Sequence, residues 1–346
     1  MKSIGVVIIG RNEGVRLAAC IRSVRASAPE AEVVYVDSNS TDDSVNIARE
    51  NGAEIVLLNP AEAFTAARAR NAGAEFLLNR HPELAYLQFV DGDTELHPRW
   101  LPHAVDYLEY HKGVAVACGR RRERYPEASV YNLLADMEWD TPIGQAEEFG
   151  GDSMIRADVF QKVGGYRPEF IAGEEPDLAA RLRLSGQKIM RLNHEMTLHD
   201  LAMTKFTQWW RRTKRSGHAL AQLAHAHGKA PLFFYRRQWR STLFWTVAMP
   251  IGVMFLAVVI SWWALFLLPL GYAYVMMRVI RYRMRRGDDG ESAFAYGVFT
   301  TLGKFPQLLG MIHFYRNLWL KRPSTIIEYK AAPSSPNPAT ATVGNT

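Results

Sequence analysis

The first ninety or so residues alternate short β-branched runs with stretches whose apolar residues recur at helical spacing, the pattern of βαβ units around a largely parallel sheet. Residues 4–9 read as a buried strand, 13–24 as a helix with Val15, Ala18, Ala19 and Ser23 on related faces, and 32–36 as the next strand. A short helix over 44–51, closed by Gly52, leads to a third strand over 54–57. An Ala-rich helix over 65–78 precedes a fourth strand, 86–90, which runs straight into Asp91-Gly92-Asp93. Acidic or glycine-containing turns therefore close several strands, and that edge is where open α/β sheets hold ligands. From Leu96 to Asp200 the pattern is mixed: a strand over 114–118, a helix over 129–139, a strand end, helix and glycine stop over 154–165, and a helix over 176–185 ended by Gly186. No internal repeat is visible.

The hydropathy then changes regime. No charged residue occurs from Leu243 to Met277. A membrane span needs roughly 20 residues for a core of ~30 Å, so this run is too long for one span. Ser261-Trp262-Trp263 breaks it, which predicts a hairpin of two helices, 243–260 and 264–280, with the Trp pair at the far interface. The alternative is a buried helix pair of a soluble protein. A third apolar segment, 293–312, holds Lys304 and Pro306 and reads as interfacial or re-entrant rather than as a further span.

Charge supports the membrane reading. The chain has 346 residues and a net charge of +6, and the basic residues crowd around the apolar run. Arg211, Arg212, Lys214, Arg215, Arg236, Arg237 and Arg240 precede it; Arg278, Arg281, Arg283, Arg285 and Arg286 follow. Positive flanks mark the cytoplasmic side of a span and attract anionic head groups, which accounts for the basicity without nucleic acid. Residues 206–220 are expected as an amphipathic interface helix, with Trp209 and Trp210 at head-group depth and Arg211, Arg212 and Arg215 near phosphates. Cys20 and Cys118 have no metal or redox spacing and read as small buried apolar residues in a reduced compartment. The apolar residues 1–10 meet Arg11 and Glu13 too soon for a signal peptide. The Pro/Ser/Ala/Thr-rich tail, 331–346, is expected to be disordered.

Three acidic constellations carry candidate chemistry. Asp37 ends the second strand within Asp37-Ser38-Asn39-Ser40-Thr41-Asp42, where a carboxylate can accept hydrogen bonds from a nucleotide base or simply organise a capped turn. Asp91 and Asp93 flank Gly92 on a turn, an arrangement able to share a hard divalent cation while glycine lets the backbone approach a diphosphate. Glu174, Glu175 and Asp177 crowd a loop-to-helix junction. In a dry site one of them must carry a raised pKa or face a cation, and such a group can take a proton from a hydroxyl. First-turn acids also favour a helix N-terminus for structural reasons, the reading that suits Asp177.

Together these residues resemble the family 2 glycosyltransferases of the GT-A fold, over more than half the chain. Val7-Ile8-Ile9-Gly10-Arg11-Asn12-Glu13 is similar to that family's first strand and nucleotide loop, with Arg11 where an aromatic is usual. Asp37 matches the base-contacting Asp. Ala69-Arg70-Asn71-Ala72-Gly73 matches the A-R-N-x-G helix whose Arg reaches the donor. Asp91, Gly92 and Asp93 match the metal and diphosphate motif, with Asp93 as the direct ligand. Gly150-Gly151-Asp152 and Val163-Gly164-Gly165-Tyr166 match acceptor-side elements, and Glu175, beside Glu174, stands where the family has its base, there the second acid of g-E-D-x-D-L. His199 is a candidate for the metal shell or the diphosphate, against a structural hydrogen-bonded role. Gln208-Trp209-Trp210-Arg211-Arg212 occupies the place of the Q-x-x-R-W motif of processive synthases, but ends in Arg, which argues against a translocating enzyme.

The resemblance implies an inverting hexosyltransferase using Mg²⁺ or Mn²⁺ and a UDP- or GDP-sugar donor. The hairpin adds a lipid-linked hydroxyl acceptor, membrane lipids as partners, and a place on the cytoplasmic face of the inner membrane in exopolysaccharide or envelope glycan synthesis. The expected organisation is a GT-A domain over 1–200 (nucleotide half 1–95, acceptor half 96–200), interface helices over 201–240, a hairpin over 241–282 and an interfacial segment over 283–330. Gly10, Arg11, Glu13, Asp37, Arg70, Asp91 and Gly92 would face the donor, and Gly151, Asp152, Arg211 and Arg212 the acceptor or diphosphate. Transfer to a polyprenyl phosphate, and a non-catalytic nucleotide-sugar-binding scaffold, are the alternatives.

Overall fold

The computed structural model describes residues 3–229 and 234–322. The 331–346 tail lies outside the described residues, as does the end of the 283–330 segment.

The first half follows the sequence pattern closely: β1 (Ile4–Gly10), α1 (Val15–Ser27), β2 (Glu32–Asp37), α2 (Ser44–Glu50), β3 (Glu54–Leu57), α3 (Ala66–Arg80) and β4 (Tyr86–Asp91). β1 pairs in parallel with β2 and β4, and β2 with β3. β1 and β2 are rich in β-branched residues, and β4 in apolar ones, because both of their faces are covered; every residue of β1 before Gly10 is buried. In register, Gly10 lies beside Asp37 and Ile9 beside Asp91. The three strands therefore end level, and their loops share one edge. α3 lies directly on that sheet: a Cβ built on Gly73 would stand 2.4 Å from Val7 Cγ1 and 2.8 Å from Val36 Cγ2. This close approach sets Arg70, one turn earlier, down at the edge.

The second half adds β5 (Thr94–Leu96), α4 (Trp100–Tyr110), β6 (Val114–Glu123), α5 (Val130–Trp139), β7 (Gly144–Ala146), β8 (Ser153–Arg156), α6 (Ala157–Lys162), α7 (Glu174–Leu184) and β9 (Lys188–His199). The sheet order is β3-β2-β1-β4-β8-β6-β9-β5, with β7 against β9. It is the expected α/β sheet, parallel in the nucleotide half. β8 runs antiparallel to β4 and β6, while β9 is parallel to β6. The sequence reading missed β5, β7, β9 and α4, and stopped β6 too early. β9 carries Arg191, Asn193, His194 and Glu195, so its strand state comes from pairing with β6 and β5 rather than from apolar alternation. Its end puts His199 opposite Thr94, next to the acidic turn.

Among the described residues six α-helices follow: α8 (Phe206–His227), α9 (Arg236–Leu243), α10 (Met249–Val259), α11 (Leu267–Arg285), α12 (Gly290–Leu302) and α13 (Lys304–Trp319). Among the described residues two continuous helical stretches, Arg236–Val259 and Trp262–Arg285, are long and apolar enough to cross a membrane. Only 11% and 6% of their apolar windows are buried, so they turn apolar side chains outward rather than into a core. Trp262 and Trp263 stack at 4.2 Å where the two stretches meet. α13 crosses α8 with backbones touching. A Cβ on Gly310 would lie 2.0 Å from the Lys214 carbonyl oxygen, and one on Gly217 would lie 2.1 Å from that of Gln307.

Two expectations for the membrane flank need correction. Trp209 is not at head-group depth: it is buried against Leu134 and Phe299, with ring centroids 4.9 Å apart in the aromatic pair, because α12 covers that face of α8. Arg283 and Arg286, expected in a basic flank that attracts anionic head groups, are engaged within the protein. Arg283 is buried, donates to the Met137 carbonyl (3.1 Å) and pairs with Asp288, and Arg286 bonds Asp140 at 2.9 Å. These two arginines fasten the hairpin to the end of α5.

Candidate active site

A cavity of about 1140 Å³ opens at the level strand ends and continues beneath α8, α9 and α13. At its floor lies Arg70, 2% exposed. One guanidinium nitrogen, Nη2, is 3.0 Å from Asp91 Oδ1; the other, Nη1, is 2.9 Å from Glu174 and 3.0 Å from Glu175. A single cation thus gathers three carboxylates from β4 and the start of α7. Gly151 makes the arrangement possible, since a Cβ there would stand 2.4 Å from Arg70 Nη2 and 3.2 Å from Glu175 Oε1. Asn71, the next residue on α3, exchanges two hydrogen bonds with the Tyr166 backbone, at 2.7 and 2.9 Å, locking the Val163-Gly164-Gly165-Tyr166 turn to the helix.

Arg121, from the far end of β6, is the residue that the sequence reading overlooked. Its Nη2 lies 3.3 Å from Asp91 Oδ2 and its Nη1 3.3 Å from Asp152, and its guanidinium sits 4.7 Å over the Trp139 ring. The signal was available in Arg120-Arg121-Arg122-Glu123: an apolar strand that continues into a basic run sends alternate arginines to one face. Both Asp91 oxygens are therefore held by arginines. Burial alone would raise the Asp91 pKa, but Arg70 and Arg121 outweigh it and hold the carboxyl below its usual value. Glu175 goes the other way: burial, reinforced by the Glu174 charge and only partly opposed by Arg70, pushes it up to about 7. A carboxylate that titrates near neutrality and is 17% exposed toward a cavity can accept a proton there.

Asp91, Asp93 and His199 each present one ligand atom within 4.8 Å of the others. Two carboxylates and an imidazole suit a divalent cation such as Mn²⁺ or Mg²⁺. With Asp91 engaged by two arginines, Asp93 and His199 are the better-placed donors. His199 Nε2 lies 3.4 Å from Asp93 Oδ1, and its Nδ1 3.7 Å from Glu123, an orienting partner behind the imidazole. Burial opposes a charge on His199, but Asp93 and Glu123 outweigh it, so its pKa is raised.

The remaining sequence candidates divide. Gly10, Arg11 and Glu13 line the cavity beside Asp91, Gly92 and Asp93. Glu13 is clamped between Gly10 and Gly92 and pairs with Arg16 at 2.8 Å, so the space left by Gly92 is filled by the chain itself. Asp37 is 3% exposed and turned into its own loop, accepting from the Ser40 backbone N–H (2.8 Å) and from the Tyr35 hydroxyl (3.0 Å); Ser38 lines the cavity instead. Asp152 is fully buried behind the turn, bonded by Thr197 at 3.0 Å. Arg212 lines the far side of the cavity, whereas Arg211 points outward from α8. Asp177 is structural: it accepts from Arg181 (2.9 Å) and sits 2.8 Å from His227, joining α7 to the end of α8.

Comparison with known proteins agrees with this geometry. Residues 5–166 match the model of glycosyl transferase family 2, and residues 133–206 that of the N-terminal domain of galactosyltransferase. An uncharacterized glycosyltransferase of Rickettsia prowazekii is 44% identical over 57 residues, 16% of this chain and 19% of that protein. The O-antigen chain rhamnosyltransferase WbaN of Salmonella anatum is 25% identical over 172 residues, 46% of this chain and 53% of that one. The matched stretches thus span about a fifth and about half of these relatives. Among solved structures, the mannosyltransferase PcManGT of Pyrobaculum calidifontis, in complex with GDP-Man and Mn²⁺, is 19% identical, with a TM-score of 0.62 over 92% of this chain and 88% of that one. Residues 1–349 of S. aureus TarS are 12% identical, with a TM-score of 0.52 over 92% of each chain. At these identities the likeness is one of fold, and it takes in the C-terminal helices as well as the sheet. Residues 5–166, a little under half of the chain, thus carry a domain that matches glycosyl transferase family 2.

Proposed function

We propose that this protein is an inverting, metal-dependent glycosyltransferase that moves a sugar from a nucleotide-sugar donor to a hydroxyl on a lipid-linked acceptor. The observation that carries the reading is the convergence on one cavity of the Arg70 carboxylate cluster, the Asp91–Asp93 pair with His199 beside it, and a wall built by the helices that adjoin the apolar hairpin. The mannosyltransferase of like fold holds GDP-Man and Mn²⁺, which supports a nucleotide-sugar donor and a divalent ion here.

Asp93 and His199, with Asp91, would hold the cation, which when bound neutralises the charge of a departing nucleotide diphosphate. The chain's own residues do the rest. The loops after β1, β2 and β4 seat the donor along the level strand ends. Glu175, with its pKa near 7, takes the acceptor proton at its carboxylate. Arg70 fixes the orientation of Glu175 and keeps Asp91 ionised. One base and one displacement give inversion at the anomeric carbon. The outward-facing apolar helices and their basic flanks support a site on the cytoplasmic face of the inner membrane, in exopolysaccharide or envelope glycan assembly.

The test is a donor screen on the detergent-solubilised chain with Mn²⁺ or Mg²⁺, reading released nucleotide diphosphate, followed by paired acceptors. Transfer to a lipid-linked sugar above that to the same free sugar supports the reading. A strict preference for water-soluble acceptors overturns its lipid part, and no metal-dependent donor turnover overturns the whole.

A further inference from the structure

Beyond the two glutamates the cavity runs on under α8 and α13. Its far wall includes Arg212, Arg215, Lys304 and Gln307, with Ala219 and Leu223 beside them. Arg212 is paired with Glu138 at 2.7 Å, and Arg215 donates to the Ile171 carbonyl at 3.1 Å. Lys304 is different. It is half-buried, and among the described residues no carboxylate pairs with it; burial alone holds its pKa below the usual lysine range. An ammonium drawn out of water without an anion is a standing cost, which a bound anion removes.

The neighbourhood gives that anion a direction. The same wall reaches Gln238 and Thr242, in the first turns of the apolar stretch Arg236–Val259. Thr242 Oγ1 donates to Gln307 Oε1 at 3.3 Å, which ties that stretch to α13 one turn from Lys304. One cavity therefore has in its lining Glu175, the Lys304 cation and the root of an outward-facing apolar helix.

We propose that Lys304 binds a phosphate group of the acceptor, so that the substrate class is a phosphate-bearing lipid whose tail leaves along Arg236–Val259 while its hydroxyl points to Glu175. This rests on the transferase reading and adds to it the chemistry of the acceptor. The diphosphate of the donor is the other source of the same anionic group, and the test separates the two.

Initial rates are measured on the full chain in detergent, with donor and metal, for two acceptors: a hexose linked to farnesyl diphosphate, and the same hexose as its octyl glycoside. With Lys304→Gln, the KM for the diphosphate-linked acceptor is expected to rise about 10- to 100-fold, the range for losing one charge-assisted hydrogen bond. The KM for the octyl glycoside should hold, and Lys304→Arg should restore most of the loss. An equal change for both acceptors overturns the proposal, as does a rise confined to the KM of the donor, which would move the cation to the donor diphosphate. If wild-type protein turns over no donor at all, the transferase reading fails separately. Calorimetric binding of geranylgeranyl phosphate to wild type and Lys304→Gln then decides the site: weaker binding in the variant supports it, and equal or absent binding overturns it.

Discussion

Nη1 of Arg70 lies 3.0 Å from Glu175 and 2.9 Å from Glu174, so one nitrogen serves two carboxylates that adjoin in sequence. Glu175 is the more exposed of the two, and burial together with the neighbouring Glu174 charge raises its pKa.

The acid limb of activity follows from that pairing. The base must be unprotonated, so kcat/KM should climb with pH through an apparent pKa near 7 and level above it. Glu175→Gln should lower transfer to a hydroxyl acceptor by about 10²- to 10⁴-fold and flatten the limb. Transfer to a phosphate acceptor, which needs no base, would survive the same change. Rates from pH 5 to 9 on both acceptor types check this; an unaltered limb in the variant would assign it to another group.

Arg70 should control that limb without touching it. Its positive charge holds Glu175 down, so Arg70→Lys, which keeps the charge but loses the planar fork, should move the limb only slightly while lowering the rate. Arg70→Met should shift the limb to higher pH. It also leaves the buried Glu174 carboxylate without its guanidinium partner and takes one of two from Asp91, a loss of about 3–5 kcal/mol. Thermal melts in detergent alongside the pH profiles separate the two effects.

Metal removal has a built-in reporter. The Trp139 ring lies 5.1 Å from His199 and under the Arg121 guanidinium. Adding Mn²⁺ to chelator-treated protein should quench tryptophan emission and restore donor turnover together. Asp93→Ala should abolish both responses, costing activity about 10³-fold or more, as for loss of an electrostatic stabiliser of the leaving group. Full turnover in the presence of a chelator would remove the cation from the account.

Asp177 makes a prediction about stability rather than rate. Burial would raise its pKa, but the hydrogen bond from His227 and the charges of Arg181 and Arg167 outweigh that and lower it. A carboxylate lowered on folding contributes stability that is complete above its unfolded pKa and is lost as pH falls through the folded value. Asp177→Ala should therefore destabilise the chain by about 3–5 kcal/mol at neutral pH. The gap to wild type should narrow below about pH 4, where the unfolded carboxyl protonates. Melting temperatures across an acid series test the sign.

What the sequence made legible was whatever local pattern controls. The strands β1, β2 and β4 announce themselves because both of their faces are covered, and Asp91, Asp93, Arg70 and Glu175 stand at their edge or at a helix start with recognisable neighbours. β9 stayed hidden because pairing, not composition, makes it a strand. Arg121 stayed hidden for the same reason, since its role depends on β6 continuing past its apolar residues. The fates of Trp209, Arg283 and Arg286 were set by which helix packs where: an aromatic or arginine near an apolar run looks alike in one dimension whether lipid or protein covers it. Asp37 shows a further limit, since its place at the edge was foreseen while the direction of its carboxylate depends on Ser40.

The contact between Gly217 and Gly310 has a bearing on the order of assembly. Lys304 and Gln307 come after the hairpin in the chain, yet they close the side of a cleft whose floor was made more than a hundred residues earlier. During synthesis the sheet with its acids precedes its roof, and the roof can be laid only once the apolar helices have been dealt with. A nascent or truncated chain lacking α13 would therefore present an open trough in place of a sheltered chamber, with its acids in full contact with water. Loss of the stretch from Lys304 onward would thus be felt at the heart of the molecule.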